Sequence, residues 1–440
     1  MITNSSIFKL TYPIILSLLA QNIINITDTA FLGHVGEIEL GGSALGGLWY
    51  LTIFMAGFGF SVGTQVLMGR RNGEGKFNKI GPIFIQGLTF LMFLACVIIG
   101  VTEIISEPLL SKMVKSENVL NATIEFIDYR IWGLLFSFPN VMFRAYFVAI
   151  TKTKALSISA IIMAIVNIFL DYAMIFGKFG FPEMGLKGAA IASVIAEATS
   201  VLFFVIYFAL TSNLKQLGMM QSSAFNMKSL PHILNVSVWT MLQSFFALGT
   251  WFVFFVATEH LGERSLAVSN IVRSVSSAMF MFTSAYGTTA NTLISNLMGE
   301  GKLYEIKPIL KKIIYQCSYF VIPIMLLVVI FPNLILSIYS SDASLIEATI
   351  PSLLVMMLSY FFVTPGLIFH QFISGTGNTR SALMVEVVTL ALYMSYVIVT
   401  AFILNTDVSI CWGSEYVYWG FLGVFSLWYI VKADWRTKKI

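Results

Sequence analysis

The chain has 440 residues, 57% of them hydrophobic and only 11% charged, with a formal net charge of +4. Soluble domains carry roughly 25% charged residues, so these figures exclude a fold exposed to water on all sides and leave lipid as the main solvent. The three cysteines, Cys96, Cys317 and Cys411, stand in or beside apolar runs without metal-ligand spacing, which excludes a cysteine-built metal site or disulfide framework.

The first apolar run, 10–32, is too long for the core of a signal peptide. Gln21, Asn22, Asn25 and Asp28 interrupt it, and no small-residue cleavage site follows. It reads as a membrane span. Eleven more runs near the ~20-residue spanning length follow at 44–68, 82–101, 124–150, 156–176, 188–210, 233–258, 266–298, 309–336, 345–374, 381–404 and 410–431. The fold class expected is all-α integral membrane, with twelve transmembrane helices.

Lysine and arginine stay on the cytoplasmic side of such proteins. The N-terminus, the even-numbered loops and the C-terminus together hold 18 of the 26, from Lys9 through Arg70, Arg71, Lys76 and Lys302 to Lys438 and Lys439. The odd-numbered loops hold five: Lys112, Lys115, Lys178, Lys187 and Arg264. The alternation predicts an even number of spans with both termini in the cytoplasm.

The sequence also repeats itself. His34-Val-Gly-Glu recurs as His260-Leu-Gly-Glu, Gly73-Glu-Gly-Lys as Gly299-Glu-Gly-Lys, Pro82 as Pro308 and Pro139 as Pro365, all at an offset of 226 residues. A fixed offset marks a duplicated unit, and six spans per unit let both copies enter the membrane from the same side. Two pseudo-symmetric six-helix lobes about an axis along the membrane normal are a transporter architecture. The boundaries expected are 1–211 for the N-terminal lobe, 212–230 for a cytoplasmic linker and 231–440 for the C-terminal lobe.

Ionisable side chains at membrane depth cost on the order of 2.5–3.5 kcal/mol and mark function. Gln21, Asn25 and Asp28 fall on one face of span 1, and Asn167 lies one turn before Asp171 in span 5. Both spans run outward, and each acid stands six residues before the end of its span, so the two carboxylates are expected at similar depth. Facing one cavity, they would share a proton or bind a monovalent cation, because two like charges do not both stay ionised cheaply. Asn167, Asp28 and Asp171 are therefore the candidate cation-coupling residues. Gln21, Asn25, Asn140 and Glu197 are candidates for the substrate cavity. Glu197 is equally compatible with helix packing among its alanines. Glu386, about six residues from Arg380, reads as interfacial and structural, and Arg144 as a snorkelling side chain at a helix end. No Walker motif, metal cluster or nucleophile elbow occurs, so neither an enzyme nor an ATP-driven pump is expected, and no metal site.

Asp28-Thr-Ala-Phe-Leu-Gly-His-Val-Gly, the Gly73-Glu-Gly-Lys loop, Asn167-x-x-x-Asp171 and Gly375-Thr-Gly-Asn-Thr-Arg380 resemble the multidrug and toxic compound extrusion (MATE) family, the first motif its DinF-like branch. The resemblance covers essentially the whole chain. It implies export of small organic, often cationic, compounds by alternating access, driven by inward flow of H⁺ or Na⁺ with no other cofactor. In that family the span-1 Asp and the span-5 Asn/Asp pair serve coupling, matching Asp28, Asn167 and Asp171, and Gln21 matches a cavity position. The acids that the NorM-like branch carries in spans 7 and 10 are not matched: span 7 has none before Glu259, and span 10 only Glu347 near its outer end. That favours H⁺ over Na⁺. The 226-residue register places Phe254, Tyr393 and Val397 opposite Asp28, Asn167 and Asp171, so coupling is expected in the N-terminal lobe alone. The partners expected are the small organic substrate and membrane lipid, with no nucleic acid and a monomeric protein. The alternative is a lipid-linked oligosaccharide flippase of the same superfamily, which needs a basic cavity. Only Arg130, Arg144 and Arg273 lie within spans.

Overall fold

The computed structural model describes residues 2–114, 116–220, 227–339 and 342–437. Lys115, Lys438, Lys439 and the linker segment 221–226 lie outside the described residues. The described chain is helical: α1 (Asn4–Val35), α2 (Glu37–Gly73), α3 (Ile80–Met113), α4 (Glu117–Arg130), α5 (Leu134–Ala149), α6 (Lys154–Ile175), α7 (Gly185–Thr211), α8 (Leu230–His260), α9 (Glu263–Glu300), α10 (Leu303–Ile330), α11 (Pro332–Leu336), α12 (Ala343–Gly375), α13 (Thr379–Val397), α14 (Val408–Cys411) and α15 (Ser414–Lys432). Among the described residues, eleven helical segments are long and apolar enough to cross a membrane. The twelfth predicted run, 410–431, folds as α14 and α15, and the 19 residues of α15 carry Glu415 and Lys432.

Helices overrun the apolar runs because nothing in the flanking sequence stops them. α2, with 37 residues, is about 55 Å long. Breaks fall where side chains demand them. The run predicted at 124–150 is two helices joined by a 3₁₀ turn, Ile131–Gly133. The run at 309–336 divides ahead of Pro332, which lacks a backbone N–H and opens α11. Asp342 and Asp407 start α12 and α14 by accepting the N–H of Ser344 at 2.9 Å and Ser409 at 2.8 Å.

Two compact units result. One comprises Tyr12–Met241, the other Met1–Thr11 together with Leu242–Ile440. In the first unit α6 packs along α7, and α2 along α4 and α5. α8 joins this unit through its first turns. Thr240 Oγ1 donates to the Gly59 carbonyl at 2.7 Å, and a Cβ on Gly63 would lie 2.5 Å from the Ser237 Cα, so only glycine permits that crossing. The linker is tied here too, by Gly81 N–H donating to the Leu217 carbonyl at 3.0 Å.

In the second unit α12 packs along α9 and α15, and α13 along α15. The first turns of α1 complete it. Phe8 stacks on Phe320 at 5.7 Å, Thr11 Oγ1 lies 2.8 Å from Thr289 Oγ1, and Lys312 Nζ donates to the Ile2 carbonyl at 2.9 Å. The break between units therefore falls inside α1 and α8, the first long helix of each repeat.

Candidate functional site

Within the Tyr12–Met241 unit a cavity of about 550 Å³ is lined from α1, α2, α4, α5, α6 and α7. Six of the seven candidate residues read from the sequence line it, Gln21, Asn25, Asp28, Asn140, Asn167 and Glu197, and the seventh, Asp171, stands outside the lining beside Asp28. α6 carries Asp171 and α7 closes over it. The fit depends on small side chains, for Ala189, Ala190 and Ala196 are buried, and a Cβ on Gly188 would meet the Met174 backbone at 2.9 Å.

Asp28 and Asp171 bring their carboxyl groups within hydrogen-bonding reach of one another. Asp171 is fully buried. Neither of its oxygens receives a donor from the rest of the protein, and Asp28 Oδ1 is likewise unpartnered. Two apposed carboxylates have four acceptor oxygens and no hydrogen between them, so the contact becomes favourable when one carries a proton. Asn167 lies beside Asp171, but its amide reaches Ser193 Oγ, at 3.5 Å.

Glu197 has a different role from a free cavity carboxylate. Arg130 Nη2 donates to Glu197 Oε1 at 2.5 Å and Nη1 to Oε2 at 3.0 Å. Tyr50 OH also reaches both carboxylate oxygens at 3.2 and 3.3 Å, and the guanidinium carbon lies 3.6 Å from the Tyr50 ring centroid. The glycine in the 3₁₀ turn after Arg130 makes room for this cluster. A Cβ on Gly133 would fall 2.7 Å from Glu197 Oε2 and closer still to Arg130 Nη1. Asn140 is held by Ser200, donating to its Oγ at 2.9 Å, and Ser159 Oγ lies 2.6 Å from the same atom.

Sequence reading missed Tyr50, Arg130 and Arg144 as cavity residues. Arg144 lines the wall with its guanidinium carbon 5.4 Å from the Phe58 ring centroid. Arg130 had a usable signal, since it is as costly within a span as an acid. Its partner, 67 residues away, was invisible.

In the second unit Glu386 is buried by other helices: it is 3% exposed and faces His370, which is 2% exposed, at 3.5 Å. Tyr418 OH donates to its Oε1 at 2.5 Å. Distance along the chain from Arg380 gives no sign of this burial, which arises because α13 packs against both α15 and α12.

The MatE family model matches residues 13–173 and again 240–399, close to the register of the internal repeat. "Probable multidrug resistance protein NorM" of Pasteurella multocida is 24% identical over 375 residues, covering 85% of this chain and 81% of that protein. The protein of the same name from Thermotoga maritima is 24% identical over 388 residues, covering 87% and 82%. In fold, the chain is similar to a MOP superfamily transporter from Pyrococcus furiosus, with a TM-score of 0.88 at 16% identity over 99% of this chain and 97% of that one. It is also similar to the eukaryotic MATE transporter AtDTX14, with a TM-score of 0.85 at 17% identity over 98% and 96%.

Proposed function

Because the chain belongs to the MatE family of membrane transporters, we propose that it is a proton-coupled antiporter, exporting small organic compounds across a bacterial inner membrane with both termini in the cytoplasm. The observation that carries the proposal is the contact between Asp28 and Asp171 at the wall of the 550 Å³ cavity. A proton bridging them stabilises the closed pair. Its loss leaves two like charges in a poorly solvated place, and their repulsion opens the pair toward the cavity. Proton occupancy thus changes the shape and charge of the substrate wall. A ligand shifts a conformational equilibrium only through such differential affinity. Outside, protonation closes the pair and favours release of the substrate. Inside, deprotonation restores a negatively charged wall suited to organic cations, with Tyr50, Phe54 and Phe126 on the same cavity offering ring faces.

NorM-named relatives support drugs as the substrate class. The choice of H⁺ rests on the paired acids, which match the DinF-like motif and stand beside one another. Against the flippase reading, the Arg130 charge is taken up by Glu197, which leaves Arg144 as one basic side chain on the wall beside Asp28.

The test is substrate efflux from proteoliposomes under an imposed pH gradient or an imposed Na⁺ gradient. The proposal expects export with the pH gradient alone and its abolition in Asp28→Asn, with substrate binding retained. Full export by Asp28→Asn at normal protein level, or export driven by Na⁺ alone, overturns it.

A further inference from the structure

The cavity of the Tyr12–Met241 unit carries one charge that the mechanism above does not use. Arg144 on α5 lines its wall and is half-buried. Among the described residues no carboxylate is in ion-pair contact with it, and the interaction described for its guanidinium is with the ring of Phe58. Arg130, by contrast, has its charge met by both oxygens of Glu197. The internal repeat shows what Arg144 lacks. The position 226 residues after it is His370, which faces Glu386 at 3.5 Å. The position 226 residues before Glu386 is Ala160, whose side chain packs with Ala20 and Ala164. The first repeat thus keeps a basic residue and has a methyl group in place of its acid. A guanidinium in a poorly solvated wall without a counter-charge is costly, and a carboxylate that arrives on a ligand offsets that cost.

The surroundings of Arg144 indicate which kind of acid fits. Tyr50, Phe54 and Phe58 recur every fourth residue along one face of α2. Their rings stack in a ladder, with centroids 6.5 Å apart from Tyr50 to Phe54 and 6.2 Å from Phe54 to Phe58. An arginine stands at each end: the Arg130 guanidinium carbon is 3.6 Å from the Tyr50 centroid and that of Arg144 is 5.4 Å from the Phe58 centroid. Only the first has a carboxylate partner among the described residues. Tyr50 and Phe54 line the cavity, so a planar aromatic molecule has ring faces to lie against and a guanidinium where they end. The guanidinium fork grips a carboxylate through two parallel N–H donors. Asn140, one turn before Arg144 on the same wall, is anchored to Ser200 Oγ at 2.9 Å and adds a second polar group. α1 and the span built from α4 and α5 are the first and fourth crossings, so they run in opposite senses. Asp28 stands seven residues before Val35, the end of α1, and Arg144 five before Ala149, the end of α5. The acid pair and Arg144 therefore stand toward opposite ends of the cavity, and a negative group has a place away from the acids that would repel it.

We propose that Arg144 is a specificity-determining residue of the cavity, binding the carboxylate of planar aromatic substrates that lie along the Tyr50–Phe54–Phe58 ladder. The substrate class then includes dipolar compounds that carry an acid as well as an amine. That such compounds are exported rests on the reading above; that the cavity binds them through Arg144 does not.

The experiment is fluorescence-polarisation binding to the whole protein in phosphatidylcholine nanodiscs. The probes are a rhodamine dye with a free carboxyl group and the methyl ester of the same dye. The wild-type protein is expected to bind the acid more tightly than the ester. The ratio of the two affinities is expected to fall about tenfold in Arg144→Gln, and about threefold in Arg144→Lys, which keeps the charge without the fork. Lys152→Gln removes a charge of the same sign from an exposed position outside the cavity lining and is expected to leave the ratio as it is. No preference in the wild-type protein, a preference kept in full by Arg144→Gln, or one lost in Lys152→Gln overturns the proposal. Should Arg144→Gln not fold, Arg144→Lys decides in its place, since an unchanged ratio there means that the guanidinium does not hold the acid. A preference abolished by adding phosphatidylglycerol to the discs assigns Arg144 to an anionic lipid head group and overturns the proposal too. Efflux of both dyes from proteoliposomes, measured in parallel, separates the two readings. Absent export with the wild-type binding preference intact refutes the transport function and not the acid site.

Discussion

Arg130 and Glu197, 67 positions apart on α4 and α7, meet in a two-pronged ion pair with contacts of 2.5 and 3.0 Å, and their side chains are 13% and 14% exposed. The pair takes one acid and one base out of the cavity's charge balance and leaves Asp28, with Asp171 beside it, and the Arg144 cation as the other charged groups there. It also bolts α4 to α7 beside the turn that separates α4 from α5.

Breaking the pair on one side strands a charge in a poorly solvated place, a loss of about 3–5 kcal/mol. Glu197→Gln is expected to lower the thermal unfolding temperature in detergent markedly. The double variant Arg130→Met with Glu197→Leu is expected to recover most of it. A double variant less stable than both single variants would contradict this coupling.

Gly133 is predicted to be intolerant of any side chain, because a Cβ there meets both Arg130 and Glu197. Gly133→Ala should cost roughly 1–3 kcal/mol through displacement of the pair. The same substitution in an Arg130→Met, Glu197→Leu background should cost much less. Unfolding temperatures of the four proteins decide it, and an equal cost in both backgrounds counts against the contact.

Asn167 holds its place between Asp171 and Ser193. Asn167→Leu removes a polar neighbour from the buried carboxyl and is expected to reduce gradient-driven efflux about tenfold, equivalent to ~1.4 kcal/mol, at unchanged protein level in the membrane. Ser193→Ala should have a smaller effect in the same direction. Undiminished efflux by Asn167→Leu would remove Asn167 from the coupling unit.

Single cysteines introduced at Lys76 and Lys302 are expected to react with an impermeant thiol reagent from the cytoplasmic side, and those at Lys112 and Asp342 from outside. All four positions are exposed. The native Cys96 is exposed as well, so the series requires its replacement first. Labelling of Lys76 and Lys302 from opposite faces would refute two repeats inserted in the same direction.

The membrane class, the helical spans, the 226-residue repeat and the Asp28, Asn167 and Asp171 constellation were all legible in the amino-acid sequence. Each is carried by a local or periodic property: apolar length, loop charge, a fixed offset, or a costly residue type inside an apolar run. Such signals survive without knowledge of which helix packs on which. Tertiary structure alone decided that Glu197 is neutralised by Arg130, that Gly133 makes room for the pair, and that Glu386 is buried against His370 and Tyr418. It also put the division between compact units within α1 and α8 rather than at the linker. Each of these depends on a partner tens to hundreds of residues away, and a one-dimensional pattern records what a side chain is without recording what the packing sets against it. Glu386 shows the difference most plainly: in sequence it stands six residues from Arg380 at the start of an apolar run, and only the helices closed around it make it a buried acid with a partner.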